Sequence, residues 1–396
     1  MNPDLEKLQP YPFQKLSTLL DGATPNPALS PIALFIGEPR HPTPDFIKQS
    51  LIDNLAGIAS YPLAAGQPEL RAAIAQWVQG RHHVNLDPAT QIIPVNGSRE
   101  ALFAFAQAVI DPRQPDPVVV CPNPFYQIYE GAALLARATP YFLNCLAQNR
   151  YAADFSELPA AVWQRTQLIF TCSPGNPTGA VMPLSQWKTL FELADQYGFI
   201  IASDECYSEI YFHEGQPPLG ALDAARQLGR HDFKRLVTFS SLSKRSNVPG
   251  MRSGFVAGDE QIIQQYLLYR TYHGCAMSGP VQVASTTAWN DEKHVVENRR
   301  LYREKFDVAL SILQPVCNVT LPDAAFYLWL PTPISDTEFA RRLYIDKNVT
   351  VLPGSYLARE AHGVNPGANF VRVALVSSLA ECAESARRIR DFIVKL

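Results

Sequence analysis

Lys244 stands in the run Ser240-Ser241-Leu242-Ser243-Lys244-Arg245-Ser246-Asn247-Val248-Pro249-Gly250-Met251-Arg252, directly after the apolar stretch Leu236-Val237-Thr238-Phe239. Such a stretch reads as a buried strand, and it would deliver the lysine to a strand end. There a desolvated amine attacks carbonyls instead of remaining a hydrated surface cation. Arg252 follows as a fixed cation. An aldehyde that carries a phosphate would use both groups, the amine to form an imine and the guanidinium to grip phosphate oxygens. Because a lone lysine is ordinarily a surface residue, the assignment stands only if other segments supply the rest of one site.

Four segments do so, in chain order. Gly97-Ser98-Arg99-Glu100 joins the strand-like Ile92-Ile93-Pro94-Val95 to an apolar-periodic helix beginning near Ala101. The amides of Ser98 and Arg99 would then point out of a helix N-terminus, where phosphate binds. Pro122-Asn123-Pro124-Phe125-Tyr126 follows Val118-Val119-Val120, so Tyr126 could lie on a planar heterocycle, although such a ring equally packs a core. Ser173-Pro174-Gly175-Asn176-Pro177-Thr178-Gly179 follows Leu168-Ile169-Phe170 and holds Asn176 in a rigid turn, its amide free to bond an oxygen. Phe199-Ile200-Ile201-Ala202-Ser203-Asp204-Glu205-Cys206-Tyr207 places a carboxylate at the end of another strand, where it can keep a pyridine nitrogen protonated.

These motifs, with Tyr61-Pro62-Leu63-Ala64-Ala65-Gly66-Gln67-Pro68-Glu69-Leu70-Arg71, occur in the order and spacing of the class I and II pyridoxal-phosphate aminotransferases, and the chain resembles that family over nearly its whole length. The resemblance implies fold type I, pyridoxal 5'-phosphate as cofactor, and a homodimer with shared active sites. It implies that Lys244 carries the cofactor, that Asp204 pairs with the ring nitrogen, and that Asn176 and Tyr207 hold the ring oxygen beneath Tyr126. Ser98, Arg99, Ser241, Ser243 and Arg252 would bind on the phosphate side, with Tyr61 arriving from the partner subunit. Arg372, in Asn369-Phe370-Val371-Arg372-Val373, would clamp the substrate α-carboxylate, helped by Asn176 and the backbone of Gly37. The catalytic group is then Lys244, Asp204 and Tyr207.

The elements that position these residues alternate. Strand-like runs between about 50 and 285 are separated by helical patterns such as Leu184, Trp187, Leu190, Phe191, Ala194 and Tyr197, ending at Gly198. Continuously apolar strands predict an α/β fold with a mostly parallel, doubly covered sheet and functional groups at strand carboxyl ends. The expected organisation is a cofactor-binding domain over 50–285, a smaller α+β domain over 286–396, and an N-terminal segment, 1–49, belonging to the smaller domain. Pro25 to Pro44 reads as irregular chain able to cover the site.

Composition sets the surroundings. At 396 residues and 47% hydrophobic content the chain can bury a large core, and a net charge of −3 with no dense basic run argues against nucleic acid or membrane partners. No segment reads as a signal peptide or membrane span. Seven scattered cysteines fit a reduced cytoplasm. In that setting the acceptor-like Asn96-Gly97-Ser98, Asn318-Val319-Thr320 and Asn348-Val349-Thr350 are chance matches. His82-His83 has no third ligand at metal spacing, so a polar turn and no metal are expected.

Three runs, Cys121 to Glu130, Ser243 to Gly250 and Tyr269 to Met277, closely resemble the succinyldiaminopimelate branch of the family. That resemblance implies glutamate and 2-oxoglutarate as the small-molecule amino donor and keto acid. A long anionic substrate wants a cation beyond the reacting centre, and Arg40, Arg245, Arg270 and His273 are the candidates. An aspartate, aromatic or alanine aminotransferase, or a carbon-sulfur lyase, would share every cofactor residue. A transcriptional regulator on this fold would need a DNA-binding domain for which no room precedes Tyr11.

Overall fold

The computed structural model describes all residues, Met1–Leu396. Its centre is a seven-stranded sheet in the spatial order Ile92–Val95, Gly254–Gly258, Leu236–Ser241, Ile200–Asp204, Thr166–Cys172, Val118–Asn123, Thr139–Asn144. Gly254–Gly258 runs antiparallel to both of its neighbours, and the strands from Leu236–Ser241 to Thr139–Asn144 pair in parallel. Alternate residues of each strand enter two different cores. Val118, Val120, Ile169, Ile201 and Leu236 face one helical layer, while Val119, Cys121, Phe170, Ala202, Val237 and Phe239 face the other. A strand covered on both sides therefore has to be apolar at every position.

The first layer contains the helices Pro68–His82, Leu184–Tyr197 and Gly279–Trp289; the second contains Ser98–Val109, Ile128–Leu135 and Glu260–His273. Leu184–Tyr197 buries Trp187, Leu190, Phe191 and Ala194 and stops at Gly198, which takes a left-handed φ of 85°. The antiparallel sheet Leu352–Pro353, Phe370–Ala374, Tyr327–Pro331 forms a second centre, backed by the helices Lys293–Leu313, Asp336–Lys347 and Leu379–Ile393. Ile32 and Leu34 join that second core, and Ile32–Ala33 pairs with Val349–Thr350. The proline-rich stretch thus contains a short strand and a fully buried Leu34, and it forms part of a packed wall.

One expectation needs correction. His82 is not in a polar turn: it is 3% exposed, packed edge-on against Trp77, and burial pushes its pKa well down. Only His83, the left-handed residue ending the helix, is exposed. No helix is long and apolar enough to cross a membrane.

Gly97 ties this frame to the site. It adopts φ +82°, and a β-carbon there would sit 2.3 Å from the Arg252 guanidinium. We expect Gly97→Ala to cost about 1–3 kcal/mol of stability and to displace Arg252; urea denaturation with and without pyridoxal phosphate checks it, and equal loss of stability and unchanged cofactor affinity would separate strain from site geometry.

Candidate active site

The strand Leu236–Ser241 ends at a single helical turn, Leu242–Arg245, whose first amide-bonding cap is Ser241: its hydroxyl oxygen accepts from the Ser243 N–H at 3.1 Å. The turn aims Lys244 into a cavity of about 220 Å³ at the carboxyl ends of the central strands. Lys244 Nζ donates to the Gly37 carbonyl at 2.6 Å and lies 5.6 Å from the Phe326 ring centre. Burial lowers its pKa to about 8, Glu38 and Cys206 opposing that shift only in part. A useful fraction of the amine is therefore unprotonated near neutrality.

Asp204 ends the neighbouring strand and is 5% exposed. Burial raises its pKa, and two donors work against the rise: Tyr129 Oη at 2.7 Å and the Cys206 amide at 3.2 Å. Tyr129 is itself fixed by stacking on Phe170, 4.7 Å between centres. A buried carboxylate held by a phenol and an amide, with no cation beside it, suits a protonated ring nitrogen.

Ser98 opens the helix Ser98–Val109, one turn earlier than the apolar periodicity predicted, and Ser98 and Arg99 both line the cavity. The Cys206 thiol donates to Ser98 Oγ at 2.8 Å. Arg252 lies against the Gly97 turn and donates to the Pro249 carbonyl at 2.8 Å. The Arg99 guanidinium leaves this end altogether and sits 5.3 Å from the ring centre of Tyr11, with neither carboxylate nor carbonyl partner. Ser241 and Ser243 bond each other at 2.9 Å and are buried behind the cavity wall. Tyr126 and Tyr207 line the cavity, and Tyr207 Oη bonds Tyr327 Oη at 2.8 Å, with burial raising the Tyr207 pKa.

Arg372 comes from the other sheet. On the strand Phe370–Ala374, Val371 and Val373 face the second core, so Arg372 faces the cavity. Its Nη1 donates to Asn176 Oδ1 at 2.9 Å and its Nη2 to the Phe35 carbonyl at 2.8 Å, while Nε is buried without a partner. With Oδ1 engaged, the Asn176 amide nitrogen is left free to donate. Tyr61 is not in this cluster; it is fully exposed on the surface of the chain.

Two of the proposed distal cations are corrected. Arg245 is 1% exposed, held between Trp77 and Trp289 and bonded to Glu292 and the Ala288 carbonyl, so it cannot reach a substrate. Arg270 is fully buried on Glu100 and the Cys275 carbonyl. Arg40 is exposed and bonds Ser377, and His273 lies 3.8 Å from Glu100, both away from the cavity lining. Conversely, Tyr129 and Tyr327 were missed. Tyr129 lies in the helix Ile128–Leu135, just after Tyr126, where its phenol reads as core packing.

Residues 30–389 match the aminotransferase class I and II family. The fold is similar to that of an aminotransferase from Neisseria meningitidis, with 52% identity, a TM-score of 0.96, and 99% and 100% of the two chains covered. A probable N-succinyldiaminopimelate aminotransferase from Thermus thermophilus is 27% identical with a TM-score of 0.85 over 96% and 99%. An LL-diaminopimelate aminotransferase of Aquifex aeolicus is 30% identical over 98% of this chain and 97% of its own length. The chain belongs to the class I and II aminotransferases, of fold type I, and its cofactor is pyridoxal 5'-phosphate.

The residues present fit that cofactor: a half-buried amine and a buried carboxylate, both without a protein counter-ion, face one cavity beside a helix N-terminus. The apo-protein should bind pyridoxal phosphate covalently at a rate that climbs with pH and levels off above about 8, the pKa of Lys244. Only the unprotonated amine attacks, so the sign is fixed. Stopped-flow absorbance measures it; a rate still climbing toward the ordinary lysine range would mean that another amine reacts.

Proposed function

We propose that this aminotransferase passes the amino group of glutamate to N-succinyl-2-amino-6-oxopimelate, forming 2-oxoglutarate and N-succinyl-LL-diaminopimelate. The carrying observation is the Arg99 guanidinium, which lines the same cavity as Arg372, lies over the Tyr11 ring and has no carboxylate or carbonyl partner. Two such cations in one cavity favour a substrate with more than one anionic group. The names of the Thermus and Aquifex relatives support the same chemical neighbourhood.

A second reading, LL-diaminopimelate itself, is favoured by the names of the relatives around 30% identity. Against it stands the charge of the cavity lining, in which the only carboxylate is Asp204, already engaged by Tyr129. A free distal ammonium would meet Arg99 and no anion, whereas a succinyl amide removes that positive charge and adds a negative one.

In this reading Arg372 and the Asn176 amide orient the α-carboxylate, so that the Cα–H bond faces Lys244. Lys244 Nζ would take the Cα proton and return it two bonds away, to the carbon across the amino nitrogen, a transfer that its depressed pKa assists. Asp204 would stabilise positive charge on the ring nitrogen, and Tyr207 would donate to the ring oxygen. Bound pyridoxal phosphate supplies the sink for the electrons released at Cα. Ser98, Arg252 and the Arg99 amide would hold the phosphate side, with Ser241 and Ser243, bonded to each other, bracing the turn behind it. Seven unpaired thiols suit a cytoplasmic setting.

The dimer belongs to the same proposal. Ile52, Leu55, Ile58, Tyr61, Leu63 and Tyr272 are all at least half exposed, an apolar surface unusual for a monomer. Tyr61 on that surface would complete a neighbouring copy's phosphate site. Mixing Lys244→Ala and Tyr61→Phe subunits should therefore regain turnover that neither parent has. Recovered activity no greater than the sum of the parents would remove the shared site.

A spectral half-reaction panel tests the substrate. N-succinyl-LL-diaminopimelate and glutamate should convert the cofactor to its amine form, and LL-diaminopimelate should do so poorly. Arg99→Ala should raise KM for the succinylated substrate about ten- to hundredfold, the worth of a hydrogen-bonded charge pair, with a smaller effect on alanine. Efficient turnover of LL-diaminopimelate would select the second reading.

A further inference from the structure

The short segment Gly37 to His41 meets Lys244 directly at its first residue and through Asn298 at its last. The Gly37 carbonyl accepts from the lysine Nζ, and four residues later the His41 ring begins a chain of hydrogen bonds that returns to the lysine main chain. Asn298, on the helix Lys293–Leu313, directs its Nδ2 at the carbonyls of Lys244, 3.2 Å, and Arg245, 3.5 Å. Its Oδ1 is thus the acceptor for Asn247 Nδ2 at 3.1 Å and for His41 Nδ1 at 2.7 Å. His41 must then carry its proton on Nδ1, which leaves the Nε2 lone pair for Lys305 Nζ, 2.5 Å away.

Lys305 is the odd member. It is 3% exposed, its other contacts are the Val376 carbonyl at 3.3 Å and the Tyr302 ring at 5.0 Å, and no carboxylate lies within ion-pair distance. Burial holds its pKa down to about 8 and also lowers that of His41, consistent with a neutral imidazole. The other polar groups facing the pair are Arg40 on its own segment, Glu297 and Tyr302 on the helix, and Glu381 and Cys382 on the last helix. An uncompensated buried ammonium is costly, and a methionine would fill the same space on a helix without that cost. The donors all point one way, from the ammonium through imidazole and amide to the Lys244 carbonyl.

We infer that Lys305, His41 and Asn298 form a relay that fixes the main chain of Lys244 and, through the shared segment, the carbonyl that holds its amine. They are positioning residues for that lysine, acting from behind it. The relay concerns the lysine alone and is indifferent to which amino acid is the substrate.

The test uses cofactor-loaded Lys305→Met and reads the pH midpoint of the cofactor absorbance band, the single-turnover rate with glutamate, and thermal stability. The midpoint should move by about half a pH unit or more and the rate should fall about tenfold, while stability is retained or improved because an unpaired charge is gone. Lys305→Arg should recover most of both. An unmoved midpoint and rate in Lys305→Met would overturn the relay. Should that variant fail to fold, Asn298→Asp keeps the acceptor and the shape but removes the donor to the Lys244 carbonyl; it should show the same shift, and a wild-type midpoint there would sink the idea equally. Borohydride reduction that labels some lysine other than 244 would remove the premise instead, a failure distinguishable from a relay that does nothing.

Discussion

Two charges of opposite sign, one half-buried and one buried, line one cavity, and neither has a counter-ion in the protein. The Lys244 amine rests on a neutral carbonyl, and the Asp204 carboxylate is met by a phenol and an amide. Low dielectric makes each of them unfavourable alone, and their pKa values are displaced toward neutrality from opposite directions. They do not neutralise one another, because they stand at the ends of adjacent strands with the cavity between them. A molecule with an aldehyde at one place and a protonatable ring nitrogen at another relieves both. Holding that separation is the constraint to which the rest of the structure answers: parallel strands covered on both faces cannot shift register without exposing a core, so their ends stay fixed.

The second sheet meets this cavity through Tyr327, Leu352 and the guanidinium of Arg372. Arg372 bonds Asn176, in the turn after the central strand Thr166–Cys172, and the Phe35 carbonyl from the N-terminal wall. Three parts of the chain, far apart in sequence, are thereby tied at one side chain. A lysine could supply the charge but not the planar fork, so the three-way junction and an oriented carboxylate both depend on arginine.

Much of this was legible before the fold was known. The runs Leu236–Phe239, Leu168–Phe170 and Ile200–Ala202 are apolar at consecutive positions, and the residues that follow them had to lie at strand ends. What could not be read was the fate of individual side chains that depend on distant partners. Arg245 looks in sequence like any cation beside a lysine; its burial is decided by Trp77 and Trp289, which enter from two other helices. His82 looks polar because its neighbour is also histidine, yet the helix Pro68–His82 turns it onto Trp77. Tyr129 carries no signal of its own, since a phenol on an apolar helix reads as core packing until Asp204 is placed opposite.

The same disposal of side chains shapes the electrostatics of the cavity. Arg245 is taken up by Glu292, Arg270 by Glu100, and Arg299 by Glu209 and Glu214, so these buried cations contribute little field at a distance. Arg99, Arg372 and Lys244 are left without carboxylate partners around one cavity whose lining holds a single acid. A chain with a net charge of −3 therefore presents a locally positive pocket, and low-dielectric walls concentrate that potential on whatever enters. Phosphate at one end and carboxylates at the other answer it, which makes selection for anionic molecules a consequence of where the other arginines were paired off.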